Sequence, residues 1–206
     1  MRERNVQIAF RKGEHVFQQG QVADRMFMIQ RGGVKVCAAY EKGRGRILRL
    51  AGPGEVVGHR ALGEHLVYTA TVTALMDTVV NTIPMSLFTS VLKANNAFCY
   101  HFLLFFADEL RAIDQEMRDH LEMPVLQRVA KALKLNQEAF GWDAADPKCL
   151  AFTLSRTDIA QMVDTSYESV IRALAELQRL KVIGLVGKQV RILKHRELER
   201  LASHFR

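Results

Sequence analysis

The sequence predicts an α+β chain: an N-terminal antiparallel β-roll, one long helix, and a C-terminal winged helix-turn-helix. Three observations predict it. Short β-branched runs broken by glycine fill residues 6–84, an apolar stripe at helical spacing runs from Ala97 to Glu122, and two short capped helices followed by a hairpin occupy residues 153–193.

The N-terminal runs are His15-Val-Phe, Met26-Phe-Met-Ile, Val34-Lys-Val-Cys, Ile47-Leu-Arg-Leu, Val67-Tyr-Thr-Ala-Thr-Val-Thr and Thr78-Val-Val-Asn-Thr-Ile. Their even spacing suits an antiparallel roll or barrel. Glycines at 13, 20, 32, 33, 43, 45, 52, 54 and 58 mostly fall at the turns, where positive φ is useful.

A short helix is expected from Pro84-Met-Ser-Leu-Phe to about Lys93, and a long one from Ala97 to Glu122. In the long helix Phe102, Phe106, Leu110, Ile113, Met117 and Leu121 recur at steps of 4, 4, 3, 4 and 4. Such a stripe normally packs on its own domain, and a long two-sided apolar surface also allows pairing with a second helix. Met123-Pro124 reads as a hinge, because proline disfavours helical geometry in the residue before it. The expected divisions are therefore 1–96 for the roll, 97–122 for the long helix and 123–206 for the C-terminal domain. Within the last, Val125 to Phe140 is a helix and Gly141 to Lys148 a loop.

Ser155 with Asp158 forms a capping-box start, and Ile159, Met162 and Val163 give the helix that follows an apolar edge. Asp164-Thr165-Ser166 then supplies a break and a fresh N-cap. On the next helix Val170, Ala173, Leu174, Leu177 and Leu180 form an apolar stripe, with Glu168, Arg172, Ala175 and Arg179 on the other face. An exposed carboxylate with a guanidinium one turn later suits base-edge reading in a major groove: Arg can be bidentate to guanine, and Glu can accept from the cytosine amino group. The same pair also fits a plain helix staple, or a capping box between Thr165 and Glu168. Two β-rich runs between Lys181 and Leu193, around Gly187-Lys188, add a hairpin wing.

With 206 residues, 49% apolar and 25% charged, the composition is that of an ordinary globular protein. No run is long and apolar enough to span a bilayer, and Met-Arg-Glu-Arg-Asn does not open a signal peptide, so a cytoplasmic location away from membranes is expected. The formal charge of +7 is uneven: 15 basic and 13 acidic residues up to Glu122, 14 and 9 beyond it. A basic C-terminal part is what phosphate neutralisation needs. Cys37, Cys99 and Cys149 have no Cys-x-x-Cys spacing, so neither zinc nor a disulfide is expected. No nucleophile–base pair, Walker loop or metal constellation is present, and no enzymatic activity is expected.

Arg156-x-Asp158-Ile159-Ala160, Ser166-Tyr167-Glu168-Ser169-Val170-Ile171-Arg172 and the wing resemble the DNA-binding domain of the Crp/Fnr family of bacterial transcription regulators. Gly13-Glu14 with Gly20, Arg31-Gly-Gly-Val-Lys-Val and Gly52-Pro-Gly-Glu-Val-Val-Gly58 resemble its cyclic-nucleotide-binding-type roll, so the likeness covers nearly the whole chain. The resemblance implies a homodimer through residues 97–122, double-stranded DNA with inverted-repeat half-sites, and RNA polymerase as partner. It also implies that Glu168 and Arg172 read a G·C pair while Arg156, Ser166 and Ser169 hold phosphates. Tyr167, Arg179 on the exposed face and Lys188 at the wing complete the expected DNA-binding set. Tyr167 stands where the cyclic-AMP-responsive branch has a base-reading Arg, and Ile171 replaces a Gly or Ser.

Gly58 to Ala70 occupies the place of the family's phosphate-binding cassette. Nucleotide-binding members have Glu after the first Gly and Arg-Ser or Arg-Thr at the end. This chain has His59 and Tyr68-Thr69 there, and Ile113-Asp114 where the adenine would meet Thr-Ser across the dimer. Without the guanidinium the phosphate lacks its bidentate partner. The candidate effector pocket, His59, Arg60, Tyr68, Thr69, Ile113 and Asp114, is therefore expected not to take cyclic AMP. Arg60 could supply a cation from another position, or could be a solvated loop residue together with His65. The four-cysteine iron–sulfur site of the oxygen-sensing branch is missing. Some members sense gases through haem, but no two of His15, His59, His65 and His101 have ligand spacing on a helix. No cofactor or metal is expected, and the effector is open. An alternative reading is a small-ligand or haem-binding sensor module whose helix-turn-helix serves protein interaction.

Overall fold

The computed structural model describes residues 6–39 and 45–203. Gly43, one of the turn glycines, and the Met1–Asn5 segment lie outside the described residues. Contacts divide the chain into two compact units, residues 1–44 with 51–117, and residues 45–50 with 118–206.

Eight strands make the N-terminal roll: β1 (Gln7–Phe10), β2 (His15–Phe17), β3 (Arg25–Arg31), β4 (Val34–Ala39), β5 (Gly45–Ala51), β6 (Val56–Val57), β7 (Thr71–Ala74) and β8 (Thr78–Pro84). They form two four-stranded sheets ordered β1-β8-β3-β6 and β2-β7-β4-β5. The register is antiparallel, with Phe27 opposite Thr82 and Val36 opposite Val72. Met26, Ile29, Val34, Val72 and Val80 are buried in one core, which Phe17, Phe27 and Tyr68 complete. Gly32, at φ 89°, is obligatory: a Cβ there would stand 2.5 Å from the Asp77 carbonyl oxygen and 2.7 Å from Thr78 Cα.

Three details differ from the sequence expectation. The run Val67–Thr73 is not one strand. Leu66 to Tyr68 bond instead to residues 20–23, through Ala23 N–H to Leu66 O and Tyr68 N–H to Gln21 O, and only Thr71–Ala74 joins the sheet. The cause is Tyr68, whose ring stacks on Phe17 with centroids 3.9 Å apart and whose hydroxyl donates to Arg25 O at 2.6 Å. Strands β1 and β6, not expected, pair with β8 and β3.

Two helices follow, α1 (Met85–Ala94) and α2 (Asn96–Glu122). The expected stripe on α2 divides between two tasks. Phe102 packs edge-to-face on Phe88 at 4.9 Å and on Phe106 at 4.8 Å, and so seals the roll. Leu103, Leu110 and Met117, seven residues apart, stay 64%, 62% and 61% exposed, and Ile113 and Leu121 are exposed beside them.

In the C-terminal unit, α3 (Val125–Phe140), α4 (Arg156–Val163), α5 (Tyr167–Arg179), β9 (Ile183–Val186), β10 (Gln189–Ile192) and α6 (His195–Ala202) surround a core of Leu133, Leu150, Leu154, Ile159, Leu174, Leu177, Ile183 and Leu198. The last helix was not expected. Its charged composition hides a short apolar edge, Leu198 and Ala202, both buried. Two polar groups hold this core together: Asp119 accepts from Lys131 Nζ at 2.5 Å, and Asn136 Nδ2 donates to Phe152 O at 2.6 Å.

Candidate nucleic-acid interface

Two caps fix the helix-turn-helix. Ser155 Oγ accepts from Asp158 N–H at 3.0 Å and starts α4. The turn closes on Asp164 at φ 47°, a left-handed geometry that Asp tolerates. Ser166 then caps α5, accepting from Ser169 N–H at 3.1 Å. Because Ser166 and not Thr165 is the cap, Ser169 takes the third helical position, and Glu168 does not close a box with Thr165.

Val170, Ala173, Leu174 and Leu177 bury one side of α5. Tyr167, Glu168, Ile171 and Arg172 are exposed on its opposite, N-terminal face. Among the described residues no side chain partners Glu168. Arg172 Nη2 instead donates to Ser169 Oγ at 3.0 Å, and the Ser166 hydroxyl donates to the same oxygen at 3.0 Å. The alternative of a Glu168–Arg172 staple is therefore not realised among the described residues. Arg156, at the start of α4, donates to Lys188 O at 3.2 Å and so ties the wing turn, where Gly187 supplies φ 60°, to the helix pair. Arg179, at the far end of α5, is held by both Glu176 oxygens at 2.7 and 2.8 Å. The structure brings Ser166, Ser169 and Arg172 together, sets Tyr167 and Glu168 on the same turn, joins Arg156 to Lys188, and leaves Arg179 apart.

In the roll, Gly58 at φ 90° starts a single 3-10 turn, His59–Ala61. Its His59 is 3% exposed, with Nε2 2.9 Å from Glu109 Oε2, while Arg60 Nε donates to the same oxygen at 3.0 Å. The rings of Phe105 and Phe106 stand edge-on to His59 at 5.3 and 5.9 Å. Burial alone would raise the Glu109 carboxyl, but the hydrogen bonds and charges of His59 and Arg60 outweigh it and bring it down to about 2. Of the expected pocket residues, His59 and Arg60 thus meet on Glu109. Tyr68 is turned into the core, and Thr69, Ile113 and Asp114 are exposed. Sequence reasoning missed Glu109, which lies on a face of α2 that reads as solvated.

A family model for the cyclic nucleotide-binding domain matches residues 7–95, and one for the Crp-like helix-turn-helix domain matches residues 127–201. The chain is 27% identical over 195 residues to the CRP-like cAMP-activated global transcriptional regulator of Mycobacterium tuberculosis, covering 95% of this chain and 87% of that one. It is 24% identical to the anaerobic regulatory protein of Bacillus subtilis, covering 90% and 78%. The chain belongs to the Crp/Fnr family of transcription regulators.

Among solved structures, FixK2 from Bradyrhizobium japonicum superposes with a TM-score of 0.85 at 22% identity over 98% of this chain and 99% of that one. A CRP-family transcriptional regulator from Thermus thermophilus gives 0.75 at 25% identity, over 95% and 96%. In helix-turn-helix domains in general the second helix of the pair is the one that lies in the major groove, and α5 is the second helix of the pair here. Its relatives here are transcription regulators, not enzymes. Among the described residues no three His, Cys, Asp or Glu side chains gather as metal ligands, and no helix is long and apolar enough to cross a membrane.

Proposed function

We propose that this Crp/Fnr regulator acts as a homodimer paired along α2, that it reads a G·C pair in each of two inverted half-sites through Glu168 and Arg172, and that it does so without cyclic AMP. The observation that carries the base-reading role is the first turn of α5. Its polar face is exposed, its guanidinium points back toward the helix N-terminus, and its carboxylate has no competing partner among the described residues. The N-terminal residues of such a helix are the ones that reach base edges. Ser166 and Arg156 flank this turn and suit phosphate contacts, with Lys188 at the wing. RNA polymerase remains the partner that the family likeness implies.

Pairing along α2 is supported by the exposed seam Leu103, Leu110, Ile113 and Met117, whose seven-residue repeat is that of a two-helix seam. The cyclic AMP part is supported by Arg60, which already serves Glu109, and by the absence of a second guanidinium at Tyr68-Thr69. A DNA mobility shift across a salt series tests the reading. Regulator action predicts tight binding to one selected sequence and a steep loss with salt. No shift on any selected sequence would favour the protein-interaction reading of the helix-turn-helix.

A further inference from the structure

We infer that Ser169 is a positioning residue for base reading, holding the Arg172 guanidinium in place; this rests on the proposed role of Arg172. Two hydrogen bonds carry the inference. Arg172 Nη2 and the Ser166 hydroxyl both donate to Ser169 Oγ, each at 3.0 Å, which fills the two acceptor sites of that oxygen. The bonds run in one chain from the helix cap to the guanidinium. Ser166 accepts from Ser169 N–H through its own oxygen, which fixes the first turn of α5 and with it the Ser169 side chain.

Arg172 is long and exposed, and an unheld side chain of this kind samples many rotamers. Helical side chains lean toward the N-terminus, so a residue three positions earlier is where an arginine can be caught. Ser169 sits at that position and is half buried, whereas Glu168, the i−4 neighbour, does not engage the arginine. The guanidinium is thereby aimed along the exposed turn that would face base edges. This role differs from the phosphate contact that the family likeness implies for Ser169, and the two make opposite predictions. Losing a phosphate contact lowers affinity for every sequence alike, and because a serine hydroxyl is neutral the salt slope stays the same in either case. A positioning residue acts on discrimination at one base pair.

The test is selection from a random DNA pool, followed by titrations across salt, with wild type, Ser169→Ala, Ser169→Thr and Arg172→Ala. Ser169→Ala keeps the backbone N–H that Ser166 caps, and a thermal melt checks that each variant is folded. The inference expects Ser169→Ala to lose about fivefold in preference at the base pair that Arg172→Ala also relaxes. The salt slope should be unchanged, and Ser169→Thr, which restores a hydroxyl, should recover the preference. A uniform loss of affinity across all sequences, or an unchanged motif while Arg172→Ala alters it, overturns the inference. An unchanged motif for Arg172→Ala overturns the base-reading proposal itself, and this inference with it.

Discussion

Glu109 and His59 lie 50 residues apart in sequence, yet the carboxylate Oε2 sits 2.9 Å from the imidazole Nε2 inside the roll. Arg60 joins them at 3.0 Å. A cation at the place of the phosphate-binding cassette is thus satisfied by a carboxylate of the same chain. Removing that carboxylate leaves a buried imidazole and a half-buried guanidinium without their shared acceptor. Glu109→Ala should cost about 3 kcal/mol, the scale for breaking a buried pair by deleting one partner. Urea unfolding of the variant measures it.

The same carboxylate predicts acid sensitivity. Its folded value, about 2, lies below the ordinary 4.5, so it stabilises the fold above the ordinary value and loses that contribution as pH falls from about 4.5 toward 2. Glu109→Gln should flatten the stability profile across that window. Identical profiles for wild type and Glu109→Gln would contradict the pairing.

Tyr68 gives a second pH prediction of opposite sense. Burial, with the nearby Asp24 carboxylate, pushes its phenol up to about 12 from the ordinary 10. The neutral phenol donates to Arg25 O, so its contribution is complete below pH 10 and is lost as pH rises toward 12. Tyr68→Phe should cost about 1 kcal/mol at pH 8, and the difference from wild type should shrink above pH 10. Thermal melts of the two proteins at pH 8 and pH 11 check this.

The local signals in the sequence were strong where one element's own residues decide its geometry. Ser155 and Ser166 cap α4 and α5 as their spacing foretold, and the Gly187-Lys188 turn closes the wing. What escaped depends on partners far along the chain. Strand β6 is two residues long and exists only through pairing with β3, α6 shows a single fully buried leucine amid charges, and Glu109 reads as solvent-facing until His59 is placed against it. The alternative of a Glu168–Arg172 staple fits the spacing, but spacing alone does not say which neighbour captures an arginine. Ser169, one turn back, does so in the fold.

The seam on α2 leads to an assembly prediction. Leu110, Ile113 and Met117 are exposed in a single chain, and covering them would remove apolar surface from water. Ile113→Asp or Met117→Glu should shift the protein to monomer in sedimentation equilibrium at micromolar concentration, because a buried unpaired charge is costly. A wild-type monomer under the same conditions would contradict dimerisation.

Calorimetry with cyclic AMP should show no micromolar binding, since Arg60 is engaged by Glu109 and Tyr68 is turned into the core. Binding accompanied by raised DNA affinity would contradict effector independence from this nucleotide.

The central claim, that α5 reads DNA sequence through Arg172, is tested most directly by selecting bound sequences from a random pool with wild type and Arg172→Ala. The account predicts inverted half-sites roughly one helical turn apart for wild type. For the variant it predicts a relaxed preference at one G·C pair in each half-site, with a loss of about 1–3 kcal/mol on the best site. An unchanged motif for Arg172→Ala would contradict it.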